Sequence, residues 1–137
     1  MYGYGNAGGF FGPALRHAGF DAVVITGVAS SPQYLLIKQN KIEIYDAKYL
    51  WGKITHETEE ILKNQYPKSR VASIGPAGEN MISMASIIND LNRAAARCGI
   101  GTVMGSKKLK VIVVQSEHKP TYSGPFRSTV IYPKVSP

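Results

Sequence analysis

Lys110-Val111-Ile112-Val113-Val114-Gln115 is the stretch on which the fold reading rests. Four successive β-branched residues with no Gly or Pro read as a strand. Upstream, Val71–Ile74 reads as a second strand, closed by Gly75-Pro76, and Ala22–Thr26 (AVVIT) as a short buried one. Tyr34–Lys38 and Lys41–Tyr45 are two more. The Gln39-Asn40 pair between them suits a tight hairpin turn, because Asn tolerates positive φ. Helices are expected at Pro13–Ala18, where Pro fits the first turn and Gly19 the stop, and at Thr102–Leu109. A longer one should run from Thr55 or His56 to about Tyr66, with Thr55 as its N-cap and Pro67 as its end. Asn92–Arg97 is expected to begin another helix. Met81–Ile88 has apolar residues at 81, 82, 84, 85, 87 and 88, which fits neither the helical nor the strand period. Trp51 is expected to pack as a core anchor.

The chain has 137 residues, enough for one domain or a piece of a larger protein. Residues 1–117 carry the periodic segments. Residues 118–137, broken by Pro120, Pro125, Pro133 and Pro137, are expected to form an extended or partly disordered tail. No apolar run approaches the ~20 residues that span a bilayer, so no membrane partner is expected. A single cysteine, Cys98, precludes an internal disulfide and any iron–sulfur or cysteine-built zinc site made by this chain alone. It agrees with a reducing, cytoplasmic location.

Sixteen Lys and Arg against nine Asp and Glu leave a net charge of +7, which favours polyanionic partners. No acid lies between Asp90 and Glu117, while Arg93, Arg97, Lys107, Lys108 and Lys110 share that interval with Gly99, Gly101 and Gly105. Glycine N–H groups and arginine forks can form an anion nest; a glycine-rich connection with ordinary surface lysines explains the composition equally well. Nucleic acid is disfavoured, because residues 91–116 contain no Phe, Tyr or Trp for stacking. Gly99, Gly101 and Gly105 are spaced one residue too widely for a dinucleotide fingerprint, and a strand follows where a helix should. His17, His56 and His118 lack metal-ligand spacing. Glu79 is expected to be solvated or to cap a neighbour. Cys98 is expected to be an inert packing thiol.

Two stretches carry a more specific signal. The first is Asn6-Ala7-Gly8-Gly9-Phe10-Phe11-Gly12, continuing through Leu15-Arg16-His17-Ala18-Gly19-Phe20-Asp21-Ala22. The second is Ser73-Ile74-Gly75-Pro76-Ala77-Gly78-Glu79-Asn80, followed by Asn89-Asp90, Arg93-Ala94-Ala95 and Gly101-Thr102-Val103-Met104-Gly105-Ser106-Lys107-Lys108-Leu109-Lys110. In this order they resemble the N-terminal domain of the tungsten-containing aldehyde:ferredoxin oxidoreductase family, over roughly Asn6 to Val114. The resemblance implies an α+β fold: a β-rich base of two sheets with intertwined repeats and a few short helices. Met81–Ile88 then becomes strand.

The resemblance further implies an oxidoreductase that converts aldehydes to carboxylic acids and passes electrons through an iron–sulfur cluster to ferredoxin. In the family, tungsten is held by a bis-pterin, and the base domain carries the pterins (molybdopterin). Asn6 and Gly8 in the first glycine loop, and Arg93, Ala94 and Ala96 in the second segment, are implied as cofactor-binding residues; no catalytic residue and no metal ligand is implied. The family usually has glycine where Ala96 stands and a small residue, often glycine, where Cys98 stands. If Ala96 needed positive φ, its methyl would cost roughly 1–2 kcal/mol.

The family's cluster cysteines and acid–base residues belong to later domains. The chain therefore reads as an isolated or truncated piece of the base, expected to be inactive on its own. Its partners would be the pterin cofactor and the missing C-terminal domains or a second chain, with ferredoxin for the complete enzyme. A homodimer is the expected relief for apolar surface such as Phe10, Phe11 and Met81–Ile88. A non-catalytic scaffold or interaction remnant of the same domain is the alternative.

Overall fold

The computed structural model describes residues 2–116 and the strand Ser128–Ile131. In chain order the elements are α1 (Phe11–His17), β1 (Ala22–Ile25), β2 (Gln33–Lys38), β3 (Lys41–Asp46), α2 (Thr55–Gln65), β4 (Arg70–Ser73), α3 (Pro76–Glu79), β5 (Ile87–Asn89), β6 (Arg93–Ala95), α4 (Ile100–Ser106), β7 (Leu109–Gln115) and β8 (Ser128–Ile131). The α+β class expected from the sequence is present, as two unequal sheets with short helices. The larger has six strands in the order β3-β2-β7-β4-β5-β6, and the smaller pairs β1 with β8. Within the larger sheet β7 runs parallel to β2 and antiparallel to β4.

Strand β7 holds the centre, and its alternation divides the core. Val111 and Val113 are fully buried on one face with Tyr34, Leu36, Leu50, Leu62 and Val71, so α2 covers that side through Leu62. Val114 turns to the other face, beneath α1, with Ala14, Ala18, Phe20 and Ile37. Leu35, Ile74, Met104 and Leu109 complete that second side under α4. A strand covered on both faces has no side facing water, which is why its centre, Val111–Val114, is wholly apolar.

The β2–β3 hairpin closes through Gln39 and Asn40, both left-handed at φ 46 and 63, as the turn reading requires. Helix α2 opens at Thr55, as expected, but its N-cap is the residue before, Ile54, rather than Thr55. The Ile54 N–H donates to the Glu57 carboxylate, and Thr58 turns its hydroxyl back to the Ile54 carbonyl.

Three local expectations are overturned. Asn92–Arg97 does not start a helix: Arg93–Ala95 is β6, paired antiparallel with β5. The alanines' helix propensity, a few tenths of a kcal/mol per residue, yields to cross-strand pairing. Met81–Ser86 is irregular rather than strand, and only Ile87–Asn89 pairs. Trp51 is half-buried, and the anchor at that corner is Leu50, which is fully buried.

Phe10 is exposed, as are Met81, Ile82 and Met84, whereas Phe11 is half-buried against the α1 core cluster. Among the described residues no helix is long and apolar enough to cross a membrane. His118 and most of the tail 118–137 lie outside the described residues. The part that is described, Ser128–Ile131, forms β8 parallel to β1.

Candidate cofactor-binding site

The glycine-rich start of the chain has no regular secondary structure, yet it lies along the β5–β6 hairpin. Small glycines let the loop pack closely onto the hairpin, and at Gly9 the backbone conformation itself calls for glycine. A β-carbon on Gly5 would lie 2.9 Å from Ile100 Cδ1 and 3.4 Å from the Arg97 carbonyl oxygen. Gly9, at φ +104, is packed so that a β-carbon would lie 2.6 Å from Asp90 Oδ2 and 3.2 Å from Arg93 Cγ. Two side-chain bonds tie the segments together: Asn89 Nδ2 donates to the Gly8 carbonyl at 3.3 Å, and the Phe10 N–H donates to Asp90 Oδ2 at 2.6 Å.

Between them opens a cleft of about 270 Å³, lined by Tyr4, Asn6, Ala94, Ala96 and Arg97. Strand alternation places Ala94 and Ala96 on one side, with Ala95 buried on the other. Short methyl side chains leave that side open. The polar lining is an amide, a phenol and a guanidinium, with no carboxylate among them. Such a lining suits an anionic ligand that also has a flat hydrogen-bonding edge.

Of the residues implied by the sequence, Asn6, Ala94 and Ala96 line this cleft directly. Arg93 opens β6 and is exposed, but it is not among the lining residues; its stem lies against Gly9, and strand parity pairs it with Ala95 rather than Ala94. Gly8 is exposed and has open space where a side chain would project. Below Gly8, Asn89 is buried, and its Oδ1 has no hydrogen-bond partner among the described residues. Tyr4 and Arg97 were missed as lining residues. Arg97 carried a usable signal, as an arginine in the basic, glycine-bearing interval; Tyr4 carried none beyond its place in a glycine-rich run.

The strain feared at Ala96 is absent, since its φ is not positive. Left-handed backbone follows two residues on, at Cys98 (φ 60) and Gly99 (φ 61), and the Cys98 side chain is exposed rather than buried.

The basic interval is less available to phosphate than its composition implies. Lys110 is fully buried, donating to the Lys53 carbonyl at 2.8 Å and pairing with Glu79. Burial pushes its pKa down, and Glu79 works against that shift. Glu79 is therefore not a solvated turn residue: its other oxygen accepts the Gly52 N–H at 2.8 Å. Lys107 and Lys108 donate to the carbonyls of Gly27 and Ser30. Among the described residues of this interval, Arg97 lines the cleft, and Arg93 stands one position before the lining residue Ala94. His17 and His56 sit on separate helices. Among the described residues no cluster of three or more His, Cys, Asp or Glu could hold a metal ion.

The model of the aldehyde ferredoxin oxidoreductase N-terminal domain matches residues 1–116. The chain is 49% identical over 116 residues to the tungsten-containing aldehyde ferredoxin oxidoreductase of Thermococcus kodakarensis, covering 83% of this chain and 19% of that protein. Against the same-named protein of Pyrococcus furiosus it is 51% identical over 112 residues, 80% of this chain and 18% of the relative. A second Pyrococcus furiosus protein, the WOR-like subunit of an aliphatic sulfonate oxidoreductase, is 37% identical over 118 residues, 76% of this chain and 19% of that protein. Among solved structures, the active site complex BamBC of benzoyl coenzyme A reductase with 1,5-dienoyl-CoA superposes with a TM-score of 0.79 at 44% identity, over 82% of this chain and 17% of that one. The chain thus spans about a fifth of the length of these curated relatives.

Proposed function

Because this chain belongs to the aldehyde ferredoxin oxidoreductase N-terminal domain family, we propose that it is the cofactor-binding base of a tungstopterin oxidoreductase. The observation that carries this reading is the cleft itself. Segments far apart in sequence, one around Asn6 and one around Ala94–Arg97, converge on a single opening lined by small and hydrogen-bonding residues.

The residues present fit one end of a phosphate-bearing pterin. Arg97 and Arg93 would neutralise the phosphate, and the Asn6 amide can pair with a polar ring edge. Ala94 and Ala96 keep the floor shallow enough for a flat ring. The Asn89 Oδ1, buried beneath Gly8 and without a partner among the described residues, is a further acceptor close to the first loop. The redox chemistry belongs to the tungsten bis-pterin when bound. This chain's contribution is to bind it, orient it and balance its charge.

The iron–sulfur cluster and the electron partner, a ferredoxin, would be served by further domains or a second chain, because one cysteine cannot supply a cluster's thiolates. Oxidation of an aldehyde to an acid is the activity proposed for the complete protein. Relatives named for an aldehyde, an aliphatic sulfonate and benzoyl coenzyme A share this domain. Substrate choice is therefore assigned to residues outside it.

The test is a fluorescence titration with hydroxymethylpterin diphosphate, which joins the pterin ring to phosphate. Arg93→Ala and Arg97→Ala should each weaken binding about tenfold or more, the size of a lost charged hydrogen bond. Absence of binding by the unaltered chain would leave the scaffold role in its place.

A further inference from the structure

We infer that Asp90 is the positioning residue that locks the first glycine loop onto the β5–β6 hairpin, so that the cleft exists before any ligand arrives. This rests on the cofactor-binding reading above for its consequence, though not for its geometry.

Asp90 is not among the cleft's lining residues, but it holds the segment that carries Asn6. Its Oδ2 accepts the Phe10 N–H at 2.6 Å, across 80 positions of sequence. Its Oδ1 pairs with Arg70 Nη1 at 3.3 Å. The Arg70 guanidinium in turn lies 4.8 Å from the centre of the Phe10 ring. One carboxylate thus fixes Phe10 twice, once through its backbone and once through the cation stacked on its side chain. Gly9 closes the arrangement: its missing side chain lets the loop descend onto Asp90.

The turn that presents Asp90 is itself held. Asp90 and Leu91 are both left-handed, at φ 46 and 64, a conformation that a branched residue such as Leu91 adopts only under constraint. The constraint is Glu59 of α2, whose Oε2 accepts the Leu91 N–H at 2.9 Å and whose Oε1 is paired with Lys63 at 2.5 Å. Glu59 is almost fully buried. A chain of contacts therefore runs from helix α2 through the strained turn and Asp90 to Phe10, four residues beyond the cleft residue Asn6. Phe10 is otherwise exposed and would not hold the loop by burial. Without Asp90 the loop keeps the Asn89–Gly8 bond but loses its charged anchor.

The experiment compares Asp90→Ala, Asp90→Asn and Leu50→Ala with the parent chain. Two readouts are taken: amide hydrogen exchange residue by residue, and hydroxymethylpterin diphosphate affinity. In Asp90→Ala the Phe10 amide should exchange about tenfold faster or more, with core amides of β7 changed much less. Asp90→Asn keeps a neutral acceptor for that amide and should recover part of the protection. Leu50→Ala removes a fully buried side chain from a core cluster that includes no residue of the loop. It should lower protection across the core without singling out Phe10. Probe affinity should follow the Phe10 amide, falling in Asp90→Ala and partly rescued in Asp90→Asn. Unchanged Phe10 exchange in Asp90→Ala, or a loss no larger than the core loss, would overturn the proposal. If the parent chain fails to bind the probe, the cofactor reading fails, and the exchange data still decide whether Asp90 locks the loop.

Discussion

Lys110 and Glu79 form an ion pair with both side chains buried, the lysine on the central strand and the glutamate at the end of α3. Lys53 and Gly52 complete it from a third segment, through a carbonyl and an N–H. The pair thus joins three segments that are not neighbours in sequence.

Removing one partner should therefore be far worse than removing both. Lys110→Met leaves Glu79 buried and uncompensated, and should cost about 3–5 kcal/mol in urea unfolding. The double variant Lys110→Met with Glu79→Leu should be more stable than that single variant. A double variant as unstable as the single would show that the apolar pair cannot pack there.

Tyr34 predicts an alkaline limb in the stability curve. It is buried, its hydroxyl lies 2.8 Å from that of Tyr66, and burial pushes its pKa well above the ordinary 10.0. The folded phenol keeps its proton while the unfolded one ionises, so stability present below 10.0 is lost as pH rises past it. Each such group steepens the decline by about 1.4 kcal/mol per pH unit. Lys110 acts oppositely: its pKa is lowered, so the cost of burying its ammonium is relieved as pH climbs toward 10.5. Denaturation between neutral and alkaline pH should show a shallower decline in Tyr34→Phe than in the parent.

Cys98 stands at φ 60 with its side chain exposed. An L-residue in that conformation costs roughly 1–2 kcal/mol, and glycine returns part of the gain through the unfolded chain. Cys98→Gly should stabilise the domain by up to about 1 kcal/mol, seen as a raised urea midpoint. A lowered midpoint would mean that the contact between Cys98 and Gly3 outweighs the strain.

The two lysines of the basic interval that bond to carbonyls near β1 make a charge-matched comparison for Arg93 and Arg97. Lys107→Ala and Lys108→Ala should leave hydroxymethylpterin diphosphate affinity within about twofold, the small effect of a distant surface charge. Losses equal to that of Arg97→Ala would point to diffuse charge attraction instead of a built cleft.

Much of the fold was legible in the residues alone. Val111–Val114, Leu35–Ile37 and Val71–Ala72 are strands because β-branched and apolar runs suit a sheet covered on both faces. Gln39-Asn40 is a turn because Asn accepts left-handed backbone. The two motif stretches, taken together and in order from Asn6 to Lys110, suggested the family and the residues implied to meet a cofactor. Three things depended on tertiary contact. Arg93–Ala95 became a strand because β5 offered it a partner, an energy no local window contains. Lys110 went inside because Glu79 and Lys53 were waiting there, so the composition of the basic interval overstated its free charge. Tyr4 and Arg97 joined Asn6 and Ala96 around one cleft only because Asp90 and Asn89 draw the chain's first residues back onto the hairpin, across 80 positions that only the sheet order brings together.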